Sequence, residues 1–395
     1  MVIVRIFWNS GNEDSVKNGM ISDFLHTGFV PVHKTDMRNL VCAKGGAGTE
    51  TNMNINILLT SAGRRGYLVE FFKKALGGNG LVHAGNSSPV SPAFYYADRH
   101  VVTPLIYDDD YIPFLKRYCK ENDIKLIVSL FDVDLMVLAK HREEFAAQGV
   151  TVVVSAPEVI DICNDKWNTY IFCRDNGFNV PATFRSLEDV KKALADGTIN
   201  YPVMVKPRWG MGSIAVFEAD NEQELDVFAE KVRRDIFNSY LKYESVVDEA
   251  SCVLFQEKLC GQEYGLDVIH DLEGAQKLTV VRKKLAMRSG ETDCASVVRY
   301  PEVEETGTKL GEALGHIGNL DMDVFVVDEV PYVLELNARF GGGYPFSHFA
   351  GVDLPKAIVK WMDGEDASEE LTIKQYDRIA QKDIRLIDIT FDGRD

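Results

Sequence analysis

What this chain of 395 residues lacks narrows it first. Its seven cysteines, Cys42, Cys119, Cys163, Cys173, Cys252, Cys260 and Cys294, include no C-x-x-C pair. An odd, scattered set without metal-ligand spacing excludes a zinc ribbon or a disulfide framework, and reads as reduced thiols in a cytoplasmic setting. No apolar run approaches the roughly 20 residues that span a bilayer. Arg5, Asn9 and Asn12 interrupt the short apolar start, which is not expected to act as a secretory signal. Positive charge is also scarce: 43 Lys and Arg against 60 Asp and Glu leave a net charge of −17. That balance argues against general binding to nucleic acid or an anionic membrane, although a local basic site can still hold a nucleotide. What remains is a globular composition, 46% hydrophobic and 26% charged, long enough for two or three domains with real cores.

Residues 1–52 show no clear periodicity, and a flexible leader is expected there. Lys44-Gly-Gly-Ala-Gly-Thr49 puts its lysine ahead of the glycines, whereas a P-loop needs Lys-Ser/Thr after them, opening a helix. Met53 directly precedes a clean strand, so a start site assigned too far upstream is one reading; a small appended element or partner-binding arm is another.

From Asn54 strands and helices alternate. Ile55–Thr60, Leu81–Ala84, Ala97–Thr103, Ile124–Ser129 and Thr151–Ser155 read as strands, with helices at Tyr67–Leu76, Asp109–Asn122 and Val133–Gln148. This alternation implies a parallel sheet covered by helices on both faces. Ser61-Ala-Gly-Arg-Arg-Gly66 lacks the full G-x-G-x-x-G, so it reads as a tight βα turn or as a helix start that takes an anion. Asp132 and Asp134 follow a strand's C-terminal end, where such sheets bind ligands, and can equally cap the next helix.

After Pro157 one helical stretch runs to Gly177 and carries Asp165 and Lys166. Tyr201–Pro207, with Lys206 near its end, and Ile214–Glu218 read as two strands around the loop Arg208–Ser213. Gly210 and Gly212 give that loop freedom and Ser213 gives it a donor; it is an ordinary hairpin or a flap that covers phosphates. Asn221–Tyr243 reads as an amphipathic helix. Val253–Lys258 is a strand leaving through Glu257, Lys258 and Leu259, whose backbone can face an adenine edge, and Glu263 can accept from ribose hydroxyls. Arg282, Lys283, Lys284 and Arg288 form a basic cluster inside an acidic protein: solvated charge, or an anion site at the base of a cleft.

The chain is organised around Gly318–Gly343. Asp323–Val327 and Tyr332–Leu336 flank a break that signals a hairpin, with Pro331 opening its second strand. A turn centred near Glu329 sets Asp323 opposite Glu335, and side-chain alternation puts Glu335 and Asn337 on one face. Asp323, Glu335 and Asn337 are then hard oxygen ligands suited to Mg²⁺, or they are solvated acids on an exposed hairpin. Arg339 follows, able to offset charge in phosphoryl transfer, and Gly341–Gly343 can bring backbone N–H groups close to an anion.

In this order NDK, YPVMVKP-RWGMGS, LFQEKLCGQEY and VFVVD…VLELNARFGGG resemble the ATP-grasp superfamily over about residues 55–365. Carbamoyl-phosphate-synthetase-like and stand-alone carboxylate–amine ligases are the most similar. The resemblance implies a mixed α/β and α+β fold: a Rossmann-like pre-ATP-grasp domain (53–156), then a two-subdomain ATP-grasp domain (157–370) with its flap at about 181–260, then a C-terminal tail (371–395). It implies that Lys166 and Lys206 bind the ATP phosphates beneath the Gly210, Gly212 and Ser213 flap. Glu257, Lys258 and Leu259 would form the adenine hinge and Glu263 would bind ribose. Asp323, Glu335 and Asn337 would bind two Mg²⁺ ions, or Mn²⁺, and Arg339 would stabilise the transferred phosphate and acyl intermediate. By the same resemblance Arg282 and Arg288 would be further catalytic cations, from the region where the family varies most.

The expected function is an ATP- and Mg²⁺-dependent ligase that joins a small-molecule carboxylate to an amine, with neither nucleic acid nor membrane as partner and a homodimer left open. One ATP-grasp unit and no glutamine-amidotransferase segment are read in this sequence, which departs from carbamoyl phosphate synthetase, and no biotin- or carrier-binding appendage is read either. The alternatives are an enzyme that stops at the acyl phosphate, a non-catalytic ATP sensor, and an interaction protein.

Overall fold

A computed structural model describes residues 54–390. The leader expected over 1–52, and Cys42 with it, lies outside the described residues. The first sheet contains β1 (Asn56–Thr60), β2 (Val82–Asn86), β3 (Arg99–Val102), β4 (Ile124–Ser129) and β5 (Thr151–Val153). Their order is β3-β2-β1-β4-β5 and every pairing is parallel. β1 and β4 are almost wholly buried because helices cover both faces, which is why they read as continuous apolar runs. Connections run one way from β1 through β2 to β3 and the other way from β4 to β5. The crevice outside the strand ends at that reversal is where open α/β sheets hold ligands.

The second sheet is antiparallel, β6 (Thr183–Phe184), β7 (Val203–Pro207), β8 (Phe217–Ala219) and β9 (Val253–Glu257), ordered β6-β9-β7-β8. It carries its own core, with Val203, Val205 and Phe255 packed against Val190 and Leu225 of two helices. Ser186 and Asn221 start those helices by accepting from the amides of Asp189 and Glu224.

The third sheet, also antiparallel, contains β10 (Gln262–His270), β11 (Gln276–Arg288), β12 (Glu291–Val297), β13 (Gly318–Val327), β14 (Val330–Asn337) and β15 (Ile379–Gln381) in the order β14-β13-β10-β11-β12-β15. One apolar cluster joins Leu115, Phe145 and Ile160 beside the first sheet to Leu266, Leu320 and Leu336 of the third, so the two sheets are held as one body.

Several boundaries differ from the sequence reading. The helical stretch after Pro157 is two helices, Pro157–Asn164 and Lys166–Asp175. Asp165 breaks it in an extended conformation (φ −101°, ψ 104°), because its carboxylate caps the second helix through the amides of Trp167 and Asn168. The stretch from Val133 likewise divides into Asp132–Lys140 and Arg142–Ala146. The returning flap strand starts at Phe217 rather than Ile214: Ser213 and Ala215 hold φ of 57° and 55°, which no strand tolerates. The helix from Asn221 stops at Phe237. In the central hairpin Asp323 lies opposite Glu335, joined by a two-residue turn whose Asp328 and Glu329 both have positive φ. Among the described residues, no helix is long and apolar enough to cross a membrane, and six cysteines are unpaired.

Candidate active site

A cavity of about 280 Å³ lies between the second sheet and the β13–β14 hairpin. Met204, Ile214, Phe325 and Leu334 give it apolar walls, while Lys166, Lys206 and Glu335 stand at its polar side. Lys206 ends β7 only 7% exposed, with Nζ donating to Gln256 Oε1 at 2.6 Å. Burial, and then the charge of Lys166, push its ammonium down to about 8. Lys166 opens its helix next to the capping Asp165, and Arg208 grips that carboxylate through Nε (2.8 Å) and Nη2 (2.7 Å). This pair ties the foot of the flap to the helix that presents Lys166. Lys166 Nζ in turn donates to Gly210 O (2.5 Å) and to Glu335 Oε1 (2.7 Å).

Gly210, Ser213, Glu257, Lys258 and Leu259 line the same cavity. Lys258 Nζ pairs with Glu218 at 2.6 Å, and Glu257 Oε2 accepts from the Ala182 amide at 3.2 Å. Gly212 sits at the flap tip and lines the neighbouring cleft; a Cβ on Gly290 would come within 2.7 Å of its carbonyl oxygen. Glu263 is absent from the cavity wall. It stands on β10 opposite Phe325 and accepts from Lys284 Nζ at 2.7 Å.

The neighbouring cleft, about 400 Å³, is lined by Asp321, Asp323, Glu335, Asn337 and Arg339 from the hairpin, Lys284 from β11, and Arg64, Arg65 and Asp132 from the first sheet. Asp321 faces Asn337 across the strands as Asp323 faces Glu335, so four oxygen-bearing side chains form two cross-strand pairs. Burial raises the Asp323 carboxyl to about 6; Lys284 opposes the rise, while Asp321, Glu263 and Glu335 add to it. Glu335 lies below the ordinary carboxylate range, because Lys166 and Lys206 outweigh its burial. Lys284 is raised despite its burial by Asp323, which it contacts at 2.6 Å, and by Glu263.

Arg339 crosses between the sheets: Nη2 donates to Asp132 Oδ2 (2.9 Å) and Nη1 to Asp321 Oδ2 (3.3 Å), while Nε is buried without a partner. Arg282 is not on the cleft surface. It is 1% exposed, paired with Asp267, donating to Ser347 Oγ (3.0 Å) and bracing Asp321 Oδ1 (3.1 Å) from behind. Arg288 is also absent from the cleft wall, since its guanidinium pairs with Asp293 and meets the Lys382 carbonyl. The glycine run has a packing reason: a Cβ on Gly341 would lie 2.1 Å from the Asp321 carboxyl, and one on Gly343 2.8 Å from Arg282 Nη2.

The sequence reading missed Asp321, which the strand period signals, since it lies two residues before Asp323 on the same face. It missed it by starting the strand at Asp323, whereas β13 begins at Gly318. Lys284 was read only as one member of a basic cluster, and its pairing with Asp323 and Glu263 was not anticipated. The Arg339–Asp132 pair spans 207 residues and left no local signal.

The donor set, three carboxylates and one amide oxygen, has the chemistry of a hard divalent cation site. Asp321, Asp323 and Glu335 add to one another's charge in a buried setting, where burial first and the neighbouring acids after it raise the Asp323 carboxyl, and a cation there would offset that charge. Among the described residues, no three His, Cys, Asp or Glu side chains are already gathered as a metal cage; the ammonium groups of Lys166 and Lys284 sit on Glu335 and Asp323 instead.

Residues 57–153 match the PylC-like N-terminal domain family and residues 163–343 the ATP-grasp domain family. Carbamoyl phosphate synthase large chain from Thermotoga petrophila is 26% identical over 300 residues, 73% of this chain but 26% of that protein, so the chain spans about a quarter of the relative's length. Biotin carboxylase from Campylobacter jejuni, solved with β,γ-ATP, superposes with a TM-score of 0.63 at 17% identity, covering 80% of this chain and 73% of the other. L-amino acid ligase from Bacillus licheniformis gives a TM-score of 0.59 at 20% identity, covering 83% and 79%. A parallel sheet followed by two antiparallel sheets around a cavity, together with these two matches in this order, shows that the chain carries a PylC-like N-terminal domain followed by an ATP-grasp domain.

Proposed function

We propose that the protein is an ATP-dependent ligase that activates a carboxylate as an acyl phosphate and joins it to an amine. The observation that carries this reading is Glu335, which lines both the apolar-walled cavity and the charged cleft, so the two spaces meet at one carboxylate. The relatives named carbamoyl phosphate synthase and L-amino acid ligase support the reaction class.

The apolar walls of Met204, Ile214, Phe325 and Leu334 suit a purine, and Lys206 and Lys166 then meet the phosphates. Asp323, Glu335 and Asn337, with Asp321 beside them, would hold Mg²⁺, which supplies charge neutralisation at the phosphate oxygens. A substrate carboxylate oxygen attacks the γ-phosphorus, the bond to the ADP oxygen breaks, and an acyl phosphate forms in the cleft. Arg339, kept protonated by Asp132 and Asp321, offsets the charge on the transferred group. An amine nitrogen then attacks the acyl carbon and loses a proton as phosphate leaves. The flap, held down where Lys166 meets Gly210 O, keeps water from the acyl phosphate.

The test is ADP release from Mg-ATP with pooled small carboxylates and amines, with Glu335→Gln alongside. Release that needs both substrates, and that falls by orders of magnitude in the variant while its fold survives, is expected. Release with a carboxylate alone would end the reaction at the acyl phosphate. ATP binding without release in any pool would favour a sensor.

A further inference from the structure

The charged cleft has more cation than the proposed phosphate chemistry uses. Arg339 is held by Asp132 and Asp321, Lys284 by Asp323 and Glu263, and nearby Lys382 by Glu291 at 3.5 Å. Arg64 and Arg65, side by side in the turn after β1, pair with no carboxylate among the described residues. Arg65 uses one donor, Nη1 to Phe340 O at 2.7 Å. Burial, and then the charge of Arg339, lower its pKa. Arg64 is exposed on the cleft wall and has no hydrogen-bond or ion-pair partner among the described residues.

Their placement is built by the fold. The turn leaves β1 at Ser61 (φ 51°) and Gly63 (φ 48°), and the helix Gly66–Leu76 begins directly after Arg65. Buried Asp134 pins that turn from below, accepting from Thr60 (2.5 Å) and Ser61 (3.3 Å) on one side and Ser129 (2.8 Å) on the other. The two arginines therefore flank the β1–β4 reversal, opposite Phe131 and Asp132 after β4, and the crevice between these loops opens into the acid-lined cleft. Two guanidiniums with most of their donors unused, beside a helix start, suit a carboxylate or phosphate group.

We infer that this crevice is an anion subsite: Arg64 and Arg65 hold a carboxylate or phosphate group that is carried by a substrate and survives the reaction. Resting on the ligase reading, this makes at least one substrate a molecule with a second anionic group, such as an amino acid or a dicarboxylate, in place of a simple amine or monocarboxylate.

Arginine modification by phenylglyoxal, mapped by peptide mass on the full chain with Mg-ADP present, tests the subsite without turnover. Succinate or inorganic phosphate at millimolar concentration is expected to slow labelling of Arg64 severalfold, and the neutral succinamide to leave it unchanged. Protection by one anion and not the other tells carboxylate from phosphate. Equal labelling of Arg64 in all three overturns the subsite. In the ADP-release assay, free amino acids and their C-terminal amides are compared. Arg64→Ala is expected to raise KM for the anionic substrate about tenfold or more, with KM for ATP unchanged and part of the loss restored by Arg64→Lys. Amides that serve as well as acids overturn it as well. If no ADP is released at all, the ligase reading falls and the labelling result still decides the subsite.

Discussion

Replacing Lys206 with methionine keeps the unbranched stem, one atom shorter, and removes a buried charge, with two opposed consequences. The ammonium is pushed down to about 8 by burial, then by Lys166, from an ordinary value of 10.5. Between those values the unfolded chain binds a proton that the folded chain has lost, so stability rises with pH across that window. Below about pH 8 the charge must stay buried. At about 1.36 kcal/mol per pH unit, the gap costs about 3 kcal/mol in the free protein. Methionine removes this cost but leaves Gln256 Oε1 without its 2.6 Å donor, a loss of roughly 1–2 kcal/mol. The free variant should therefore be about 1–2 kcal/mol more stable at pH 7 and melt a few degrees higher. Its ATP affinity should fall about 10- to 100-fold, the worth of a charge-assisted contact to phosphate. Thermal unfolding without nucleotide and titration calorimetry with ATP read the two effects. Unchanged ATP affinity would remove Lys206 from the site, and a less stable free variant would refute the cost assigned to its burial.

Two further substitutions probe the scaffold behind the site. Gly341→Ala drives a methyl group into the Asp321 carboxyl, which Arg282 and Arg339 hold in place; ADP release should drop at least about tenfold with little change in ATP affinity, and normal turnover would show that Asp321 is free to move. Asp134→Ala strands the buried hydroxyls of Thr60, Tyr111 and Ser129, and should lower stability by about 3 kcal/mol or more in denaturant titration; a loss under about 1 kcal/mol would refute that account.

Local patterning by itself determined a good deal about this protein. Strand period and turn position brought Asp323 and Glu335 close in the hairpin. The Asp328–Glu329 turn by itself, however, pairs Val324 with Val333, and a register shift next to that pair is what sets Asp323 opposite Glu335. Alternation of strands and helices from Asn54 likewise required the parallel sheet. Boundaries were less legible where a side chain overrode propensity, as where Asp165 caps a helix inside an otherwise continuous helical stretch. The tertiary structure alone decided which of many similar cations does what. Arg282 and Arg339 look alike in sequence, yet one is sealed behind Asp321 and the other spans to Asp132, 207 residues away. Arg64 and Arg65 read as part of a tight turn or of a helix start that takes an anion, and the sheet order set them beside a reversal facing the acids of the hairpin. The partner of a charged group is set by which surfaces converge in space, and residue type and spacing do not encode that convergence.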